Sequence, residues 1–214
     1  MMTKRKRPLL LSKSWFKAKK NRCYIALFAL AAATMLLYVT MSSNNLAVDT
    51  KTVRPLLNLI AEAESNGNYN AYFGNSSNKS PEFTAMSIND VQKWQADYIA
   101  KGSPSSAVGR YQFLDSTLSG LVAELNIDKN QIFNEKIQDK LAAKLLERRG
   151  VVAYVNKELP AKQFAGNLAQ EWASLPMTIG KDPSKSYYDG DGLNESRVSV
   201  NKVLQAVDEI QPAK

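Results

Sequence analysis

Glu64 is the residue best placed in this sequence for acid–base chemistry. The 214 residues include no His and one Cys, which excludes Ser-His-Asp and Cys-His catalytic sites, His-based metal centres and an internal disulfide. Proton transfer must therefore depend on Asp, Glu, Lys or Tyr. Glu64 ends an apolar segment and precedes a loop rich in aromatic residues. Partial burial there would raise the pKa of its carboxyl group enough for proton donation near neutral pH; the alternative is an exposed glutamate at a helix end.

A helix over residues 53–64 is predicted to position Glu64. Its apolar side chains recur at helical spacing, Pro55 suits the first turn, and Gly67 suits the end of the helix. Residues 66–86 follow and are rich in Asn, Gly, Ser and aromatic side chains. This composition predicts a loop that contains a small hairpin.

Five further helices are predicted from caps and apolar spacing. Their expected limits are residues 88–100 after a Ser87 cap, 115–125 with Asp115 or Ser116 as the cap, a helix from the Asn134 cap to just before Gly150, a helix from Pro160 to about 172–175, and 198–210. Residues 176–194 are predicted to be a loop. Six helices and one polar insertion with few strands predict a mostly helical α+β domain over residues 53–210.

The positive charge of the chain is concentrated at its N-terminus. Nine of the 28 basic side chains lie in residues 1–22, and no acidic side chain lies there. The rest of the chain carries 19 basic and 20 acidic side chains. The net charge of +8 therefore describes a basic arm rather than a basic domain, and we expect no nucleic-acid partner.

Residues 23–41 are predicted to form a single transmembrane helix. The stretch CYIALFALAAATMLLYVTM contains 19 residues and no charge, close to the roughly 20 residues that span a bilayer. The basic arm before it predicts a cytoplasmic N-terminus, with residue 49 onward on the other side of the membrane. A cleaved signal peptide is the alternative. Residues 42–52 are interpreted as a linker.

Several short sequence motifs occur in a specific order along the chain, and together they are more informative than any one of them alone. They are Leu57–Ser65, Phe83-Thr84, Gly109–Leu114, Trp172–Pro176, and Tyr187–Gly190 with Asn194. This series resembles the ordered landmarks of the lambda-type phage endolysins, which are lysozyme-like lytic transglycosylases. The similarity extends over about residues 53–208, which is nearly all of the chain after the predicted membrane segment.

The resemblance implies a lysozyme-like fold that cleaves the β-1,4 bond between N-acetylmuramic acid and N-acetylglucosamine, without a cofactor. The single catalytic glutamate of this family ends the first helix, and Glu64 occupies that position here. By the same resemblance Gln112 lies in the cleft, where its amide can bind substrate. The alternative is that Gln112 anchors its own loop.

Three further side chains are candidates for substrate binding. Tyr188 can stack on a sugar or cap the core, Ser174 can form a hydrogen bond within the cleft, and Tyr111 can contact substrate or pack internally. Asp189–Asn194 superficially resembles a calcium loop, but the twelfth position of that loop is Val200 rather than Glu. We therefore predict an ordinary turn there and no metal site.

Three functions remain open from the sequence. The first is a lytic transglycosylase that forms 1,6-anhydro-N-acetylmuramic acid, and the second is a hydrolytic muramidase with Glu82 or Asp115 as its second carboxylate. The third is a non-catalytic, membrane-tethered protein that binds the cell wall. The expected partners are glycan strands and, through residues 23–41, the bacterial inner membrane. The catalytic domain is expected to be a monomer in the periplasm. The alternative location is on a membrane that is associated with a virion.

Overall fold

The computed structural model describes residues 48–210. The predicted basic arm (1–22), the predicted transmembrane helix (23–41) and the first part of the predicted linker lie outside these residues. Within the described range, no helix has both the length and the apolar character needed to cross a bilayer.

Seven α-helices form nearly all of the regular secondary structure in the described residues. They are α1 (Arg54–Ser65), α2 (Ile88–Ala100), α3 (Asp115–Glu124), α4 (Glu135–Arg148), α5 (Val151–Val155), α6 (Ala161–Leu168) and α7 (Val200–Asp208). A short 3-10 helix spans Phe83–Ala85. The mostly helical prediction is confirmed, whereas the hairpin predicted within residues 66–86 reduces to an isolated bridge between Tyr72 and Asn75.

Local hydrogen bonds fix several helix ends where the sequence predicts them. The Ser87 hydroxyl accepts from the Asp90 N–H at 3.1 Å, and the Asn134 side chain accepts from the Ile137 N–H at 3.0 Å; both are N-caps. At the end of α1 the chain turns through left-handed conformations at Asn66 (φ 53°) and Gly67 (φ 74°). This turn stops the helix immediately after Glu64 and Ser65.

Three expectations about the helices are wrong. Leu114, rather than Asp115 or Ser116, is the N-cap of α3, because the Asp115 carboxylate instead accepts from the Ser106 hydroxyl at 3.2 Å. Helix α6 ends at Leu168 rather than near 172–175. The chain also starts the extra helix α5 directly after Gly150, whose φ of 102° allows an abrupt change of direction.

Helix α1 is the central element of the domain. Its side chains Leu56, Leu57 and Ile60 are fully buried, and the helix packs against α4 and α7. Burial of such side chains contributes about 1.5–3 kcal/mol each. The position of Glu64 is therefore set by a helix that is held on more than one side.

A polar cluster around Asp139 of α4 supports the same end of the molecule. The buried Asp139 carboxylate accepts hydrogen bonds from the Tyr111 hydroxyl (2.6 Å), the Tyr69 hydroxyl (2.9 Å) and Arg54 Nη1 (2.5 Å). Arg110 Nη1 lies 3.6 Å from it. Two cations and two hydroxyl donors satisfy the carboxylate, so its burial is tolerated.

The turn at residues 109–112 is joined to the end of α1. The Ser65 hydroxyl donates to the Arg110 carbonyl at 2.8 Å. The fully buried Gln138 accepts from the Arg110 N–H at 2.8 Å and donates to the Tyr69 carbonyl at 3.1 Å. The turn and the loop after α1 are thus fixed to each other and to α4.

Gly109→Ala should destabilise the domain by about 3 kcal/mol. A Cβ at Gly109 would overlap Gln138 Oε1, and moving Gln138 breaks hydrogen bonds that are worth about 1–3 kcal/mol, in addition to roughly 1 kcal/mol for Ala at a left-handed φ. Gly67→Ala is the matched control, because it has a similar φ and open space around its Cβ, and it should lose only about 1 kcal/mol. Urea unfolding followed by tryptophan fluorescence measures both losses, and equal losses would contradict the proposed clash.

Candidate active site

Glu64 lies in a cleft of about 880 Å³. The cleft is bounded by the end of α1 and by parts of four other segments, residues 72–76, 99–115, 171–174 and 188–197. Three exposed apolar side chains, Ile99, Leu114 and Leu193, lie along it. A carboxyl group beside a long groove with polar and apolar walls is an arrangement suited to a sugar polymer.

Ser174 holds the Glu64 carboxyl group. The Ser174 hydroxyl donates to Glu64 Oε1 at 2.6 Å, and the Ser174 N–H approaches the same oxygen at 3.4 Å. Ser174 itself is buried, with 4% of its surface exposed. This contact also explains why α6 ends early, because residues 169–175 must leave the helix for the Ser174 N–H to reach Glu64.

The environment of Glu64 favours a protonated carboxyl group. Burial raises the pKa of Glu64 above its ordinary value, while the two contacts from Ser174 and the positive charge of Arg197 oppose this effect and lower the pKa in part. The net shift is upward. Glu64 is therefore suited to donate a proton closer to neutral pH than a solvated glutamate is.

Gln112 lies on the cleft wall near the same end of α1. Its backbone adopts a left-handed φ of 50°, and its Nε2 donates to the Gly109 carbonyl at 2.9 Å. Gln112 therefore stabilises its own turn and lines the cleft. The two roles weighed from the sequence are compatible in this geometry.

Tyr111 points away from the cleft and into the core. It is 1% exposed, its hydroxyl donates to Asp139, and its ring packs edge-on against Phe113. The side chain does not line the cleft. This position agrees with internal packing, which was one of the two roles considered from the sequence. It does not agree with the other role, a contact with substrate.

Tyr188 and Ser174 both line the cleft. The Tyr188 hydroxyl donates to the Gln170 carbonyl at 2.8 Å, and 39% of the residue remains exposed. Ser174 forms its hydrogen bond with Glu64 itself. Tyr188 therefore offers a fixed, accessible aromatic ring, and Ser174 positions the acid.

The carboxylates considered as a second catalytic group differ in position. Glu82 is exposed and does not line the cleft. Asp115 lines the cleft and accepts from Ser106. Glu171 and Glu195, which the sequence did not indicate, also line the cleft; Glu171 is paired with Arg149 at 2.7 Å, and Glu195 is exposed.

Sequence reasoning missed Arg197. This residue lies in the polar segment before α7 and lines the cleft, and its N–H donates to the Ser174 carbonyl at 2.8 Å. No periodicity or motif distinguishes it from other basic residues. Only the fold brings it beside a residue that contacts Glu64.

The segment that superficially resembles a calcium loop forms a turn. The Asp191 carboxylate accepts from the N–H groups of Leu193 (2.8 Å) and Asn194 (2.9 Å) and from the Asn194 side-chain amide. Both oxygens of the Asp191 carboxylate thus accept hydrogen bonds that close the turn. This geometry is typical of an Asx turn.

Comparison with known proteins gives one informative result. The Endolysin family model matches residues 55–190, more than half of the chain, and the match includes Glu64, Gln112, Ser174 and Tyr188. No curated protein and no solved structure matches the chain. The chain therefore belongs to the endolysin family, the peptidoglycan-degrading enzymes of phage lysis.

Proposed function

We propose that this endolysin is a lytic transglycosylase in which Glu64 acts first as an acid and then as a base. The observation that carries the proposal is the Glu64 carboxyl group, held by Ser174 in the cleft with its pKa raised. The substrate is the glycan strand of peptidoglycan. The bond broken joins N-acetylmuramic acid to N-acetylglucosamine.

In the first step the protonated Glu64 donates its proton to the glycosidic oxygen. The bond from that oxygen to C1 of the muramyl residue breaks, and the N-acetylglucosamine side leaves as an alcohol. Positive charge develops on the muramyl ring. The Glu64 carboxylate that results is stabilised by the Ser174 hydroxyl and by the positive charge of Arg197.

In the second step the Glu64 carboxylate takes the proton of the muramyl 6-hydroxyl. The oxygen of that hydroxyl forms a bond to C1, which closes the 1,6-anhydro ring and returns Glu64 to its protonated form. No water is consumed. One carboxyl group whose pKa lies near the working pH can serve in both directions.

Hydrolysis by a muramidase is the alternative outcome. A hydrolytic glycosidase normally uses a second carboxylate to activate water or to attack C1. Of the other cleft carboxylates, Asp115 accepts a hydrogen bond from Ser106, Glu171 is paired with Arg149, and Glu195 is exposed. Glu64 is the cleft carboxylate that Ser174 holds and whose pKa is raised, which supports a mechanism in which Glu64 acts as both acid and base.

The N-terminal sequence supports a membrane-bound location. We propose that residues 23–41 anchor the chain in the inner membrane, with the basic arm in the cytoplasm and the catalytic domain in the periplasm. An anchored enzyme would lie next to the peptidoglycan layer.

Glu64→Gln should lower the rate of cell-wall cleavage about 10³-fold, because an amide cannot donate or accept the proton. The measurement is the release of soluble fragments from purified peptidoglycan by the full chain. Mass analysis of the wild-type products should find anhydro-muramyl ends. Glu62→Gln is the matched control, since Glu62 is an exposed glutamate on the same helix, and it should retain full activity.

Two results would overturn these assignments. Unchanged activity of Glu64→Gln would remove Glu64 from the mechanism and support a wall-binding protein. Reducing ends in place of anhydro ends would identify a hydrolytic muramidase.

Ser174→Ala should shift the basic limb of the pH profile to higher pH. The Ser174 hydroxyl donates to the charged form of Glu64 and so lowers its pKa. Without that bond the pKa rises, and the protonated acid persists to higher pH. The measurement is kcat/KM against pH for both proteins. A limb that stays in place or moves to lower pH would mean that Ser174 does not set this pKa.

The full chain should remain with the membrane fraction after alkaline carbonate extraction, at the mass of the uncleaved chain. Replacing Leu36 and Leu37 by Arg should move it to the soluble fraction, because charges within a span are costly. A shortened product in the periplasm would identify a cleaved signal peptide instead.

A further inference from the structure

We propose that Arg197 binds a carboxylate carried by the 3-O-lactyl arm of the muramyl residue, and that the groove beside Arg197 holds this arm. The inference rests on the proposed function and makes it more specific. It assigns to this enzyme a means of distinguishing the muramyl residue of the strand from its N-acetylglucosamine neighbour.

Arg197 differs from the other arginines of residues 48–210 in that its side chain forms no salt bridge with a carboxylate. Arg54 and Arg110 face Asp139, while Arg148 pairs with Glu124 and Arg149 pairs with Glu171. Within the described residues, the exposed Arg197 guanidinium group forms no hydrogen bond or salt bridge. A guanidinium group presents a planar set of donors that fits a carboxylate with two hydrogen bonds.

Arg197 lies where two cavities meet. It lines the cleft that contains Glu64, and it lines a second groove of about 460 Å³. The second groove is formed by residues 184 and 196–201, and Arg197 is the one charged side chain among these seven residues. Its other walls include the polar side chains of Ser184 and Asn201, which suit the amide groups of a peptide.

The position of Arg197 relative to Glu64 fits a branch on the reacting sugar. The Arg197 N–H donates to the Ser174 carbonyl at 2.8 Å, and the Ser174 hydroxyl donates to Glu64 at 2.6 Å. In the proposed mechanism the muramyl C1 and 6-hydroxyl lie beside Glu64. The substituent at O3 of the same ring would then extend past Ser174 towards Arg197 and the second groove.

The chemistry of the substrate supplies a matching anion. N-acetylmuramic acid differs from N-acetylglucosamine by the lactyl ether on O3, whose carboxylate is either free or joined to a peptide that carries its own carboxylates. Of the other cleft carboxylates, Glu171 is paired with Arg149, and the exposed Glu195 forms no salt bridge with Arg197 within the described residues. The second groove itself contains no acidic side chain.

The test compares three forms of one glycan preparation. The first carries its peptides, the second has been treated with an amidase and keeps a free lactyl carboxylate, and the third carries peptides whose carboxylates have been converted to methylamides. The proteins are the full chain, Arg197→Gln and Lys202→Gln. Lys202 is an exposed cation of α7 that does not line the groove, so it controls for the loss of one positive charge.

Arg197→Gln should lower kcat/KM about tenfold more on the peptide-bearing strands than on the methylamide form, with the difference chiefly in KM, because a loss that comes through the pKa of Glu64 is common to both forms. Lys202→Gln should change kcat/KM on neither form. The amidase-treated strands separate the two sources of the carboxylate. A loss on the peptide-bearing strands comes from the carboxylates of the peptide, because the lactyl carboxyl group is an amide there. A loss that is also found on the amidase-treated strands shows that Arg197 binds the free lactyl carboxylate as well, and no loss on those strands limits the ligand to the peptide.

An equal loss on all three substrates would overturn the inference. Arg197 also lowers the pKa of Glu64, and an effect through that pKa would not depend on the carboxylates of the substrate. Failure of the proposed function gives a different result, because Glu64→Gln would then cleave every substrate as fast as the wild type.

Discussion

The hydrogen bond from Ser174 to Glu64 is the contact on which the site depends. It joins the end of the first helix to a segment 110 residues later in the chain. Burial raises the pKa of the acid, and the Ser174 hydroxyl limits that rise while fixing the direction of the carboxyl group. A proton donor needs both burial and a fixed orientation. A fully solvated carboxyl group is ionised at neutral pH, and a carboxyl group without a hydrogen-bond partner is poorly oriented towards the substrate.

Asp139 and Glu64, the two carboxyl groups near this end of the domain, lie in opposite electrostatic environments. Asp139 is surrounded by Arg54, Arg110 and two tyrosine hydroxyls, so its negative charge is part of the scaffold. Glu64 has no cation in direct contact within the described residues, and its pKa is raised. The same residue chemistry therefore gives a structural anion in one place and an exchangeable proton in the other.

The scaffold and the site share one set of contacts. Asp139 and Gln138 of α4 hold the turn that carries Arg110 and Gln112, and that turn accepts the hydrogen bond from Ser65 next to Glu64. The position of the acid is thus set by the packing of α1 and by the turn beside it. This arrangement gives the rigid support that catalytic geometry requires.

The sequence by itself determined the local features of this protein. The limits of α1, the caps at Ser87 and Asn134, and the place of Glu64 at a helix end depend on residues within a few positions of one another, so spacing and side-chain chemistry were sufficient. Tertiary structure decided the burial of Tyr111, the early end of α6 and the location of Arg197. Each of these depends on a partner far away in the chain, such as Asp139 for Tyr111 and Glu64 for Ser174, and contacts of that kind leave no local pattern in the sequence.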